Sequence, residues 1–261
     1  ALYSSTSGGI TARFSDVWNG FDRPYLQPVI DSVVTSWDLA ARPLSDESNF
    51  RAFIGLDTRF NEDDWPTFRW QRSGTLPEIT AGVREYLTNR SNPLASLKTV
   101  TGLTVTERSN TGRVQTLLVN TDIGDYELHK NEVVSALIPP RSQFFYLEPM
   151  YEQPAPAAAN SAPDAVSTPQ QIPAEKAPIL KGYTFIGGGF GHGVGMSQTG
   201  SYRLGEIGWP YERILQFYYP NTQLLPISND LVFWPDPETA ADTPQPGAAE
   251  ADAANPMFSL P

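Results

Sequence analysis

The stretch Tyr183-Thr184-Phe185-Ile186-Gly187-Gly188-Gly189-Phe190-Gly191-His192-Gly193-Val194-Gly195-Met196-Ser197-Gln198 changes character twice within sixteen positions. Tyr183 to Ile186 are strand formers. The glycines after them free φ and let another backbone or a ligand approach closely. Near Met196 the pattern turns helical, and Pro210-Tyr211-Glu212 opens a second helix. Tyr211, Ile214, Leu215 and Tyr218 are spaced to form its apolar face, and Pro220 stops it. A strand, a glycine loop and two short helices in sequence do not make a repeating βαβ unit, so the stretch already points to an α+β protein.

The chain on the amino-terminal side agrees. Phe68 and Trp70 alternate with Arg69 and Gln71, which predicts a short half-buried strand. Thr75-Leu76-Pro77-Glu78 is a capping box with proline in the first turn. Leu76, Ile79, Val83, Tyr86 and Leu87 then recur at helical spacing, and the helix should end between Asn89 and Asn92, before Pro93. From Lys98 to Leu128 the chain predicts strands turning at Asn110-Thr111-Gly112 and at Asp122-Ile123-Gly124. Asn131 to Leu137 suggests a short helix, and Phe144-Phe145-Tyr146 another strand. Phe50, Phe53 and Ile54 suggest one apolar face; Trp18, Phe21, Tyr25, Leu26, Val29 and Ile30 suggest a partly buried segment, and Ser4 to Gly9 a loop.

Two stretches lack the apolar residues to offset their ordering entropy. Residues 149–179, rich in Pro and Ala, are expected to be a flexible insertion, and the acidic tail 235–261 disordered. Residues 1–148 and 180–234 are then one domain.

Composition narrows the function classes. The 261 residues carry a formal net charge of −11, which argues against a phosphate-binding surface and against nucleic acid as a partner. There is no cysteine, hence no disulfide, zinc-thiolate site or cysteine nucleophile. No apolar run is long enough to span a bilayer. The start, Ala1-Leu2-Tyr3-Ser4, has neither an initiator Met nor a signal-like apolar region, as expected of a processed product or a fragment.

The glycine loop carries the chemistry. No Lys-Ser/Thr follows a Gly-x4-Gly pair and no Gly-x-Gly-x-x-Gly fits the register, so it is not a nucleotide loop. His192 is one of two histidines. Either its imidazole is hydrogen-bonded inside a packed turn, or it is held for close approach to a ligand; the second reading is preferred. His129 reads as a surface or helix-start residue. Ser197 is near His192 in sequence, but there is no Gly-x-Ser-x-Gly elbow.

Gly189 to Gln198, followed by Gly208, Tyr211, Ile214-Leu215, Tyr218-Tyr219-Pro220 and Thr222, resembles the closing signature of the SpoIID/LytB family of bacterial cell-wall factors. That family includes lytic transglycosylases of sporulation and amidase enhancers. Tyr3 to Gly9 with Val17-Trp18, Pro24-Tyr25-Leu26 and Trp37-Asp38 is similar to the family's middle region, and so are Phe68-Arg69-Trp70, Glu107-Arg108-Ser109 with Gly112-Arg113-Val114, and Arg141-Ser142 with Phe144.

The resemblance implies an extracytoplasmic protein of the cell envelope or periplasm whose partners are peptidoglycan glycan strands and a cell-wall amidase. It implies lytic transglycosylase chemistry, in which one carboxylic acid protonates the glycosidic oxygen and the sugar's own 6-hydroxyl closes a 1,6-anhydro ring. The alternative is a non-catalytic glycan-binding module that stimulates an N-acetylmuramoyl-L-alanine amidase. The family's catalytic glutamate is expected upstream of Ala1, which leaves His192 as the supporting catalytic residue. Ser5, Ser7, His192, Ser197 and Gln198 are the expected substrate-binding residues. Where some relatives carry zinc-binding His and Cys, this chain has Ser4 and Ser7, so no metal and no cofactor is expected. Asp57, Glu62, Asp63 and Asp64 beside Trp65 and Phe68 form an acidic group near potential sugar-stacking rings, but they read first as a solvated loop.

Overall fold

In the computed structural model the described residues are 2–34, 36–152 and 178–226. The elements in chain order are β1 (Tyr3–Ser4), α1 (Phe14–Val17), α2 (Glu47–Ile54), β2 (Arg69–Thr75), α3 (Leu76–Asn89), a 3-10 turn (Pro93–Ser96), β3 (Val100–Arg108), β4 (Val114–Thr121), β5 (Gly124–His129), α4 (Glu132–Ala136), β6 (Phe145–Glu152), β7 (Ile179–Gly188), β8 (Met196–Ser197), α5 (Gln198–Glu206) and α6 (Tyr211–Tyr218). The fold is α+β, as expected.

Three small sheets carry it. β3, β4 and β5 form an antiparallel meander; β7 is the centre of an antiparallel sheet ordered β2-β7-β6; β1 pairs in parallel with β8. Helix α3 begins where the capping box says it should: Thr75 accepts the Glu78 N–H, and the Glu78 carboxylate accepts the Thr75 N–H at 2.9 Å. Its buried residues Ile79, Val83, Tyr86 and Leu87 pack on Trp70, Leu117, Val119, Phe145 and Phe185, joining the two larger sheets into one core. A second core is largely aromatic, with Phe50, Phe53, Phe60, Phe68 and Phe144 around Trp37. A third surrounds Val194, Leu204, Tyr218 and Tyr219. The glycine loop runs between the second and third, leaving β7 on one side and entering α5 on the other.

Several expectations need correction. Ser4 ends strand β1 and Ser5 to Gly9 is a loop, largely a buried one; Ser4, Thr6 and Ser7 have almost no exposed surface. Surface loops satisfy their backbone with water, and this one uses protein partners instead. The ladder also outruns the predicted insertion boundary. β6 continues through Pro149 to Glu152 and β7 begins at Ile179, with Glu152 opposite Ile179. β6 lies at the sheet edge, where proline's missing donor is tolerated. The predicted flexible stretch otherwise falls on 153–177, and the predicted tail on 235–261, both outside the described residues. Phe21 and Tyr211, expected to be partly buried, are exposed.

Residues Ala1–Gln223 form one unit, and Leu224–Pro261 a second of which only 224–226 are described. No helix among the described residues is long and apolar enough to cross a membrane.

Candidate functional site

The glycine loop is zipped to the amino-terminal segment along its length. Thr6 and Phe190 exchange backbone hydrogen bonds at 3.2 and 2.9 Å, the Ala12 N–H donates to the Gly193 carbonyl at 2.8 Å, and the Gly193 N–H donates to Ser4 Oγ at 2.9 Å. Close backbone approach explains the glycines best at two positions. Gly195 has φ +77°, and a Cβ there would strike the Leu2 carbonyl oxygen; Gly193 has φ +73°, and a Cβ there would strike the Arg113 guanidinium.

Beneath the loop lies a carboxylate that the sequence placed in solvent. Glu62 is fully buried. Oε1 accepts the Ser7 N–H at 2.6 Å and Thr199 Oγ1 at 3.3 Å, and it also accepts the Ser197 hydroxyl. Oε2 accepts the Gly9 N–H at 2.8 Å and the Ser7 hydroxyl at 3.0 Å. Five donors from two distant segments therefore converge on one side chain. Buried charge is tolerated where such donors replace water.

A second buried carboxylate sits beside it. Asp31 Oδ1 accepts Asn61 Nδ2 at 2.8 Å and the Tyr218 hydroxyl at 2.7 Å, while Oδ2 lies 3.3 Å from Ser7 Oγ. Burial first, and then the nearby Glu62 charge, push the Asp31 pKa well above the usual carboxylate range. Gly200 completes the packing, because a Cβ there would overlap both Asp31 Oδ2 and the Tyr218 hydroxyl. Arg113, also buried, donates to the carbonyls of Ser7 (2.9 Å), Ile10 (2.8 Å) and Thr111 (3.0 Å). Burial lowers its pKa to about 10, leaving it charged at neutral pH.

The five sequence-predicted residues separate into two groups. Ser7 and Ser197 are buried and face Glu62, so their hydroxyls support the loop and present nothing to a ligand. Ser197 is also the N-cap of α5, accepting the Gly200 N–H. Ser5 is half-buried, with its carbonyl accepting the Thr199 N–H at 3.1 Å, and Gln198 is exposed at the start of α5. His192 is half-buried. Its Nδ1 accepts the Val194 N–H at 3.0 Å, and its ring packs against Trp18 with centroids 4.9 Å apart. With Nδ1 occupied as an acceptor, the neutral ring carries its proton on Nε2.

Desolvation lowers the His192 pKa from 6.5 to about 4; a backbone hydrogen bond with Tyr3 acts in the opposite direction, and the Arg113 charge adds to the lowering. The folded chain thus keeps this imidazole neutral down to about pH 4, whereas an unfolded chain takes up the proton near pH 6.5. Between those values the unfolded state binds more protons, so stability falls as pH drops, by about 2–3 kcal/mol across the window. Asp31 runs the other way, since its raised pKa favours the folded state in acid. Comparing urea midpoints of the wild type and His192→Gln at pH 7 and pH 4.5 cancels the Asp31 contribution. The wild type should lose more stability than the variant on acidification; equal losses would contradict the assignment.

Glu62 is the residue that sequence reasoning misjudged. The acidic group splits, with Asp64 exposed, Asp63 half-buried and Glu62 wholly enclosed. Among the described residues, no three His, Cys, Asp or Glu side chains gather where they could hold a metal ion.

The chain is 28% identical over 236 residues to the protein named Amidase enhancer from Bacillus subtilis (strain 168), an alignment covering 86% of this chain and 29% of that protein. The chain therefore spans less than a third of that relative's length. A family model described as Domain of unknown function (DUF8618) matches residues 12–195, from the segment zipped to the glycine loop to the loop's last glycine. With most of the fold inside that match, the chain belongs to the DUF8618 family.

Proposed function

We propose that this chain is a peptidoglycan-glycan-binding module of SpoIID/LytB type that stimulates an N-acetylmuramoyl-L-alanine amidase in the cell envelope. The observation that carries this reading is an exposed polar and aromatic strip beside the glycine loop. Gln198 and Tyr202 stand one helical turn apart on α5, and the exposed Trp65 ring meets Tyr202 edge-on at 6.1 Å. Ser5 adjoins the start of the same helix, and His192 lies on the loop leading into it. Aromatic faces with amide and hydroxyl groups at their edges suit sugar rings, which have apolar faces and hydroxylated rims. The likeness to the amidase enhancer supports the same reading.

The lytic transglycosylase reading requires an acid within reach of the glycosidic oxygen. The two carboxylates at the base of the loop have no exposed surface, and Glu62 is committed to five donors, which counts against either serving as that acid. His192, with a neutral ring held by the loop, is then a positioning residue.

The test is release of stem peptides from purified cell walls by a cell-wall amidase, with and without this chain. The proposal expects a severalfold higher rate with the chain present. It also expects Trp65→Ala combined with Tyr202→Ala to abolish the gain while leaving the melting temperature unchanged. A rate indifferent to the chain would overturn the amidase role.

A further inference from the structure

A cleft of about 360 Å³ is lined by Val17, Trp18, Asn19, His129, Lys130, Asn131 and Glu132. Its position is set by the end of β5. Lys130 has φ +49°, a left-handed conformation that costs a non-glycine residue about 1 kcal/mol or more and persists where the surroundings enforce it. Here the Lys130 N–H donates to the Gln115 carbonyl at 2.9 Å, and the side chain crosses to the α1 segment. There Nζ donates to the Trp18 carbonyl at 3.4 Å and to Asn19 Oδ1 at 3.3 Å.

Those partners are neutral. Among the described residues, no carboxylate lies within ion-pair distance of the Lys130 ammonium. The cleft's other ionisable side chains have partners of their own: Glu132 Oε2 accepts the His129 N–H at 2.9 Å, and His129 Nε2 lies 3.6 Å from Glu127 Oε2. In a chain of net charge −11, an ammonium fixed in a concave site with no acidic partner is a local attractor for anions. The carboxamides of Asn19 and Asn131 add amide-recognising groups, and Val17 and Trp18 supply an apolar floor.

We propose that this cleft binds a short peptide through its carboxylate, with Lys130 as the counter-ion, Asn19 and Asn131 as hydrogen-bonding partners for the peptide amide, and Trp18 as the wall. The identification of that peptide with a glycan's stem rests on the function proposed above; the carboxylate site does not. Trp18 gives the cleft a direct line to the glycine loop, because its ring is the one that packs on His192.

The experiment titrates the full chain at pH 7 with N-acetyl-L-alanyl-D-glutamate and, in parallel, with its diamide, following the Trp18 indole and His192 imidazole NMR signals. Saturable shifts of both signals are expected with the dicarboxylate, with at least tenfold weaker binding of the diamide. Lys130→Gln should lose about tenfold in affinity, and Lys130→Arg should retain binding. Should Lys130→Gln fail to fold, the dicarboxylate-to-diamide ratio in the wild type still decides the matter. Equal binding of the two probes, or no saturable binding, overturns the proposal. Binding of amidase-stripped glycan strands, measured separately, distinguishes the two claims. Strands without the dipeptide would sink only the cleft; the dipeptide without strands would sink only the glycan reading.

Discussion

Glu62→Ala is expected to lower the unfolding free energy by about 4 kcal/mol, enough to leave much of a domain of ordinary stability unfolded. The substitution strands the N–H groups of Ser7 and Gly9 and the hydroxyls of Ser7, Ser197 and Thr199 without their shared acceptor. A buried donor left unsatisfied costs about 1–3 kcal/mol, and relaxation or entry of water reduces the sum. Glu62→Gln should cost about 2–3 kcal/mol, since its amide nitrogen would face donors where an oxygen now accepts. Asp31→Asn should be milder near neutral pH. The raised pKa shows that the fold favours the uncharged form, and asparagine keeps an acceptor for Asn61 and Tyr218. Because the Asp31 pKa is raised, its stabilising contribution is present in acid and lost as pH rises, so Asp31→Asn should flatten that decline. Urea denaturation of the three variants between pH 5 and pH 9 checks the ordering; an exposed-type response to Glu62→Ala, within about 0.5 kcal/mol, would contradict the buried network.

Arg113→Met is expected to cost about 3–4 kcal/mol, and Arg113→Lys to recover little of it. The planar guanidinium donates to three carbonyls from two segments and lies over the Phe144 ring at 4.3 Å. Each hydrogen bond from a charged donor is worth about 1.5–3 kcal/mol, offset in part by the desolvation that the charge no longer suffers. A lysine ammonium is a point donor and cannot reach the three carbonyls in one plane. Thermal and urea unfolding measure the loss, and a lysine variant with wild-type stability would show that the fork geometry is unimportant. Arg113 and Glu62 both hold Ser7, by its carbonyl and its N–H respectively, so the double variant should be non-additive.

These two residues also mark how far the sequence could be read. Local devices were legible because their partners are neighbours. The Thr75–Glu78 capping box, the turn glycines Gly112 and Gly124, and the buried stripe of α3 are written within a few positions of one another. The glycine loop was legible as a place of close approach, but what approaches it is the chain's own segment 2–12. Glu62 meets Ser7 across 55 positions and Ser197 across 135, and no periodicity encodes such a meeting. An acidic group after Phe60 has the same composition whether it is solvated or enclosed. The hydroxyls of Ser7 and Ser197 turn inward to Glu62, a direction that spacing does not encode, because it places a hydroxyl near a loop without saying which side it faces. Tyr211 shows the converse limit, occupying a helical-face position that no neighbour covers.

The proposed function requires the strip beside the glycine loop to bind glycan without cutting it. The most direct measurement incubates the chain with amidase-stripped peptidoglycan strands of defined length and follows two signals together: NMR shifts at Ser5, His192, Gln198 and Tyr202, and mass spectrometry of strand ends. Saturable shifts at those residues with strand ends unchanged are the expected result. New 1,6-anhydro ends would contradict it in favour of a transglycosylase, and strands that leave all four residues unshifted would contradict the glycan-binding surface itself.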